Sequence, residues 1–257
     1  MPPKSFAQLS GLTAVVTGSS TGIGRAIALE LASAGAHCLI HARHSRADAE
    51  AVARSVLDRG VESHVVLCDL ADAATHEELV ESAWKWRGAV DIWVNNAGAD
   101  VLTGEAAQWP FGRKLEELVR VDVVATANLS RGVGARMKER GSGVIVNVGW
   151  DQAEHGMAGD SGQFFAATKG AVMSFTKSLA CSLAPEVRAN CVAPGWIQTE
   201  WGAGASEAWQ ERARNESLMA RWGTPEDVAA AVRFLVSPAA AFITAQTINV
   251  NGGLKQS

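Results

Sequence analysis

The chain has 257 residues, 47% hydrophobic and 19% charged, with a formal net charge of -4. This length and composition suit a large α/β domain with a substantial core. Slight acidity with scattered basic residues excludes a nucleic-acid binder of the electrostatic kind, and no stretch reaches the roughly 20 apolar residues of a membrane helix.

The start, residues 1–9, is polar and proline-bearing and lacks the apolar segment of a secretory signal. Residues 14–17 read as a strand running into glycine-rich sequence. Over 23–34, Ile23, Ile27 and Leu31 recur on one helical face. A second strand is expected at 37–41, then a helix over 47–59 stopped by Gly60. Residues 63–67, 92–94 and 144–148 read as buried strands, with helices over 75–86, 114–138 and 162–183 between or after them. Two late strands are expected at 188–192 and 247–250. Strands alternating with helices imply parallel pairing and right-handed crossovers. The predicted fold is a Rossmann-type α/β fold, a doubly wound parallel sheet with helices on both faces, in one domain over 1–257. The least regular stretch, 196–223, reads as a mobile lid with its own short helix. Cys38, Cys68, Cys181 and Cys191 lie far apart in apolar runs, without a CxxC or Cys/His cluster. Reduced core cysteines in a cytoplasmic protein are expected, and no metal.

The first strand leads into Thr17-Gly18-Ser19-Ser20-Thr21-Gly22-Ile23-Gly24, a GxxxGxG spacing between strand and helix. Such glycines let the backbone approach a pyrophosphate, and a helix N-terminus favours negative charge. The same sequence could also be a tight turn without a ligand. The second strand ends at His41-Ala42-Arg43-His44-Ser45-Arg46. An NAD site usually places an acidic side chain here for the ribose hydroxyls, and none occurs before Asp48. Arg43, with Ser45 and Arg46 nearby, suits a 2′-phosphate, so NADP(H) is expected over NAD(H). The alternative is a pair of solvated arginines opening the next helix.

Together with Cys68-Asp69-Leu70, Asn95-Asn96-Ala97-Gly98, Pro194-Gly195-Trp196-Ile197-Gln198-Thr199 and the segments 221–227 and 249–253, these motifs resemble the short-chain dehydrogenase/reductase (SDR) family over nearly the whole chain. The resemblance implies a seven-stranded sheet. It also implies a homodimer or homotetramer built on the two long helices and the last strand, where Val172, Phe175 and Leu179 would serve core or interface. Implied cofactor contacts are Gly18, Ser20, Gly22, Ile23 and Gly24 in the loop, and Asp69 and Leu70 near the adenine. Asn96, Ala97 and Gly98 follow the fourth strand. Pro194, Gly195, Ile197 and Thr199 complete the set, with Lys169 on the nicotinamide ribose.

SDR enzymes usually carry Asn, Ser, Tyr and Lys at the reacting centre. A free tyrosine titrates near pH ~10, so it relies on the lysine to act at neutral pH. Here the corresponding segment reads Phe165-Ala166-Ala167-Thr168-Lys169, and the chain contains no tyrosine. Trp150 stands where the serine is expected and Asp122 where the asparagine is expected. Candidate proton carriers are Asp151 and His155 after the fifth strand, Asp100 near Gly98, and Asp122, which would pair with Lys169 or hold a water for relay. Histidine has the most suitable ordinary pKa. Each of these could equally be a solvated loop residue. Trp150, Trp196 and Trp201, with Phe165, fall in segments that surround the substrate in this family. They imply a small apolar or aromatic substrate, or a pocket partly filled by indole. Trp84, Trp86 and Trp93 read as core or interface. The expected function is an NADP(H)-dependent oxidoreductase of alcohols or carbonyls with an unusual proton donor. The alternatives are a cofactor-binding scaffold acting as sensor or partner subunit, and a non-redox lyase or isomerase with Asp151 or Asp122 as base.

Overall fold

Short apolar runs rich in valine and isoleucine form the strands β1 (Thr13–Val16), β2 (His37–Ala42), β3 (Ser63–Leu67), β4 (Ile92–Asn95), β5 (Gly143–Val148), β6 (Val187–Pro194) and β7 (Thr247–Val250). They make one seven-stranded sheet in the order β3-β2-β1-β4-β5-β6-β7, parallel at every pairing. β1 and β4 are buried along their whole length, as strands covered on both faces must be. The computed structural model describes residues 6–199, 202 and 204–255. Trp201 and the first five residues of the 1–9 segment lie outside them.

The helices α1 (Gly22–Ser33), α2 (Arg46–Leu57) and α3 (Ala74–Arg87) follow the first three strands. After β4 come α4 (Phe111–Leu118) and α5 (Thr126–Arg140), joined by a π turn over Val119–Ala125. The apolar period predicts one regular helix over 114–138, because a single inserted residue leaves that period almost intact. A short α6 (Gln152–His155) leads to the long α7 (Asp160–Leu183), followed by α8 (Glu207–Glu216) and α9 (Pro225–Val236). The α9 helix was not foreseen. Its start was nonetheless encoded, because Thr224 and Asp227 form a capping box around Pro225.

Two apolar clusters pack on opposite faces of the sheet. One joins Ile27 and Leu31 of α1 with Val228, Val232 and Leu235 of α9. The other joins Leu129, Val133 and Met137 of α5 with Leu179 and Leu183 of α7. Val172 and Leu179 are therefore core residues of the protomer, and Phe175 packs against the second cluster. Trp93 is fully buried and its indole donates to Asn95 Oδ1 at 2.8 Å. Cys38 and Cys191 are buried, but Cys181 is exposed on α7 rather than in the core. Among the described residues no helix is long and apolar enough to cross a membrane, and no group of His, Cys, Asp or Glu could hold a metal ion.

The sheet order reverses between β1 and β4. In open α/β sheets the crevice for ligands lies at such a switch point, outside the carboxyl ends of the strands.

Candidate active site

The loop after β1 is held by close approach. Gly18 adopts φ +60°, and a Cβ there would lie 2.9 Å from Ala97 Cα. A Cβ on Gly24 would lie 2.2 Å from Gly18 O and 2.4 Å from Asn96 Nδ2. Asn96 Nδ2 donates to Thr17 O and Gly18 O, both at 3.0 Å. Thr17 Oγ1 accepts from the backbone N–H groups of Asn96 and Ala97 at 3.0 and 3.1 Å. The loop is thereby stitched to the end of β4.

His41, at the end of β2, is a second brace that the sequence reading did not assign. Gly18 N donates to His41 Nδ1 at 3.0 Å, and Nε2 lies 3.1 Å from Cys68 O. An accepting Nδ1 requires the proton on Nε2, so the ring is neutral. Burial drives its pKa down to about 4. The folded state thus binds fewer protons than the unfolded chain between about 4 and the ordinary value of 6.5. The stability tied to neutral His41 is complete above that window and is lost as pH falls through it. The loss is of the order of 3 kcal/mol. In urea unfolding from neutral pH down to pH ~4, the stability gap between the wild type and His41→Leu is expected to narrow. A gap that stays constant with pH would rule this linkage out.

Between the loop and the strand ends lies a cleft of about 440 Å³. Gly18, Ser20, Gly22, Ile23 and Gly24 form one side, and Leu70, Asn96, Ala97 and Gly98 the other. Arg43 lines the rim and is solvent-exposed. Asp100 reaches the same cleft, but its Oδ1 accepts from the N–H groups of Leu102 and Thr103 at 2.9 and 3.1 Å, as a turn cap does. Ser45 and Asp69, both expected contacts, lie apart from the cleft lining. Ser45 is exposed just ahead of α2. Asp69 turns Oδ1 onto Ala71 N at 2.9 Å, closing the turn after β3.

A second cavity, of about 530 Å³, adjoins the first, and Ile23, Asn96 and Thr199 line both. Its walls are aromatic. Trp150 meets Phe165 edge-on at 6.0 Å, and Phe165 meets Phe164 at 4.8 Å. Opposite them, Trp196 packs on Trp209 at 5.3 Å and on Trp222 at 6.2 Å. Trp196 is fixed by its indole N–H, which donates to Glu216 Oε2 of α8 at 2.7 Å. Pro194, Gly195, Ile197 and Thr199 also line this second cavity.

Ser161, Phe165 and Lys169 recur every fourth residue on α7 and so share the face turned to this cavity. Ser161 was missed as a site residue, although that spacing was readable. Lys169 Nζ donates to Asp122 Oδ2 at 2.8 Å and lies 3.4 Å from Val148 O. The Asp122 side chain is only 1% exposed, and its Oδ1 accepts from Ala99 N at 2.9 Å. The pairing expected of Asp122 and Lys169 is thus a direct ion pair, with no gap for a water.

The other two candidate proton carriers stand elsewhere. Asp151 is buried, but its carboxylate accepts from Gln152 N at 2.8 Å and from Asn251 Nδ2 at 3.1 Å. Burial raises its pKa, against those hydrogen bonds. It ties the end of β5 to the C-terminal segment and does not line the aromatic cavity. His155, the last residue of α6, is exposed and also outside the lining. The short helix after Trp150 turns both side chains away, which a strand-to-loop reading could not anticipate.

A family model described as enoyl-(acyl carrier protein) reductase matches residues 18–255. The 3-oxoacyl-(acyl-carrier-protein) reductase FabG of Aquifex aeolicus is 36% identical over 254 residues, covering 96% of this chain and 98% of that protein. Among solved structures, a 3-oxoacyl-(acyl-carrier-protein) reductase from Agrobacterium tumefaciens with NADP bound superposes with a TM-score of 0.88 at 32% identity, covering 98% of both chains. A 7α-hydroxysteroid dehydrogenase complexed with NADH and 7-oxo glycochenodeoxycholic acid gives a TM-score of 0.89 at 27% identity, covering 100% of this chain and 99% of that one.

Proposed function

Because this chain belongs to the short-chain dehydrogenase/reductase family, we propose that it is an NADP(H)-dependent oxidoreductase of alcohols and carbonyls that works without the family's tyrosine and serine. The observation that carries this reading is the junction of the two cavities. A glycine-walled cleft with an arginine at its rim opens, at Ile23, Asn96 and Thr199, into an aromatic chamber holding Lys169. The cleft fits a dinucleotide on its own geometry. A Cβ at Gly24 would collide with the loop, while the space in front of the loop is open and faces the α1 N-terminus.

When bound, the cofactor supplies or accepts a hydride at its nicotinamide ring. The chain's own residues do the rest. The backbone of Gly18 to Gly24 and the N-terminus of α1 bind the pyrophosphate, and Arg43 binds the 2′-phosphate. Asn96 keeps the loop closed. Lys169 binds the nicotinamide ribose, held in place by Asp122. Trp150, Phe165 and the Trp196 cluster exclude water and orient a small apolar or aromatic substrate. Segment 196–223, with α8, acts as a lid over this chamber, and the chain works as one domain. It works in the cytoplasm as a homodimer or homotetramer. Unpaired cysteines support that compartment, and the edge strand β7 with exposed Ile248 supports assembly.

The testing experiment is a titration with NADPH and with NADH, followed by tryptophan quenching and energy transfer to the nicotinamide. NADPH is expected to bind more tightly. Arg43→Ala is expected to weaken NADPH about tenfold and to leave NADH nearly unchanged. Equal losses for both cofactors would take the 2′-phosphate away from Arg43. Failure of the wild type to bind either cofactor would sink the oxidoreductase reading and favour a non-redox enzyme or an empty scaffold.

A further inference from the structure

We propose that Lys169 is itself the proton donor, its ammonium delivering the proton to the oxygen of an aromatic ketone, with Asp122 as the residue that holds it in position. The proton-transfer role rests on the reductase reading above.

Among the described residues that line the aromatic cavity, Lys169 is the one titratable side chain. Ser161 and Thr199 bring hydroxyls, and an aliphatic hydroxyl is a poor acid near neutral pH. Asp151 and His155 stand outside the lining. An ammonium has three N–H donors. One is committed to Asp122 Oδ2 at 2.8 Å. A second is loosely placed on Val148 O at 3.4 Å, beyond the usual hydrogen-bond range. The third is free for the cavity, and the Val148 contact can be exchanged. That leaves one donor for a ribose hydroxyl and one for the substrate oxygen. In the usual arrangement a phenol stands between lysine and substrate. Here Phe165 has no hydroxyl, so the ammonium faces the chamber directly.

Asp122 sets the position of the ammonium. It reaches Lys169 from the π turn, buried and fixed by Ala99 N. Among the described residues, the Cys191 thiol of β6 also interacts with Lys169; burial pushes its pKa up to about 12, so it stays uncharged. In the reductive direction the carbonyl carbon gains a hydride with its electron pair from the reduced nicotinamide. The carbonyl π pair moves onto oxygen, and that oxygen takes the Nζ proton. The products are the alcohol, the oxidised dinucleotide and a neutral Lys169 amine, which regains its proton from water. Inside aromatic walls a charge aimed at the forming alkoxide acts more strongly than it would in water.

The experiment uses 4-nitrophenol, whose phenol and phenolate absorb at different wavelengths, as a flat aromatic probe of an oxyanion at this position. It is bound to the full-length protein, with and without NADP⁺, and titrated with acid. In the wild type the bound probe is expected to ionise at least about one pH unit lower than the free probe, a tenfold shift. Asp122→Asn, which removes the opposing charge, is expected to lower the midpoint further. The double variant Lys169→Met with Asp122→Asn avoids a buried orphan charge and is expected to abolish the shift. A double variant with the wild-type midpoint would overturn the proposal, and so would a probe that does not bind. The parallel NADPH titration separates the two readings. Wild-type protein that shifts the probe but does not bind NADPH counts against the reductase reading. NADPH binding with an unshifted probe counts against Lys169 alone.

Discussion

Gly24→Ala is expected to cost about 3 kcal/mol or more, from forced overpacking in a rigid site. If that cost is met by opening the loop, NADPH affinity falls about 100-fold. The added Cβ would sit 2.2 Å from Gly18 O and 2.4 Å from Asn96 Nδ2. Neither neighbour can yield cheaply. Gly18 O is backbone, on a residue without room for even a Cβ beside Ala97, and Asn96 Nδ2 spends its hydrogens on Thr17 O and Gly18 O. Moving Asn96 would release the Thr17 and Gly18 carbonyls together. Calorimetric titration with NADPH and a thermal melt measure both effects. Gly112→Ala, in α4 where nothing lies near the new Cβ, serves as the control and is expected to be neutral or slightly stabilising. A Gly24→Ala protein that melts and binds like the control would show that the loop relaxes freely.

Lys169→Met is expected to destabilise by about 3–5 kcal/mol, because it leaves Asp122 buried with an unpaired charge. The pair is dry, with the lysine side chain 14% exposed and the carboxylate 1%, so water does little to replace the lost partner. Asp122→Asn added to Lys169→Met keeps an acceptor for Ala99 N and removes the charge. The double variant should therefore recover most of the loss. Urea unfolding of the wild type, the two single variants and the double variant forms a cycle whose coupling energy isolates the pair. The single variant should also regain stability toward acid pH, where the orphan carboxylate can take a proton. Additive losses, with no coupling, would mean that the ion pair contributes little beyond its packing.

What the sequence disclosed depended on how local each feature is. The Gly18-to-Gly24 loop, the end of β2 at Arg43 and the Asn96 segment were legible because a strand, a short motif and a helix follow one another directly. The pairing of Asp122 with Lys169 was legible only through resemblance, because nearly fifty positions of chain separate them. The directions of Asp151 and His155 were not legible. A one-turn helix decides them, and it is stabilised by Asp151 capping Gln152 N. His41 carried no signal at all, since its role arises from the meeting of three chain segments at Gly18 and Cys68. Ser161 and the α9 capping box were written in plain spacing, and a stricter use of the four-residue period and of the Thr-Pro-Glu-Asp signature would have found both.

The π turn at Val119–Ala125 has a further consequence. Such a turn is an ordinary helix carrying one additional residue, wound a little wider. Removing one residue there would close it into a regular helix, in which the flanking turns keep their faces while residues inside the turn move to new ones. Asp122 would then swing off Lys169 although every side chain around it was unchanged. The polarity of the reacting centre is therefore set by chain counting as well as by chemistry. A single-codon deletion in this seam would part the ion pair as effectively as replacing the aspartate.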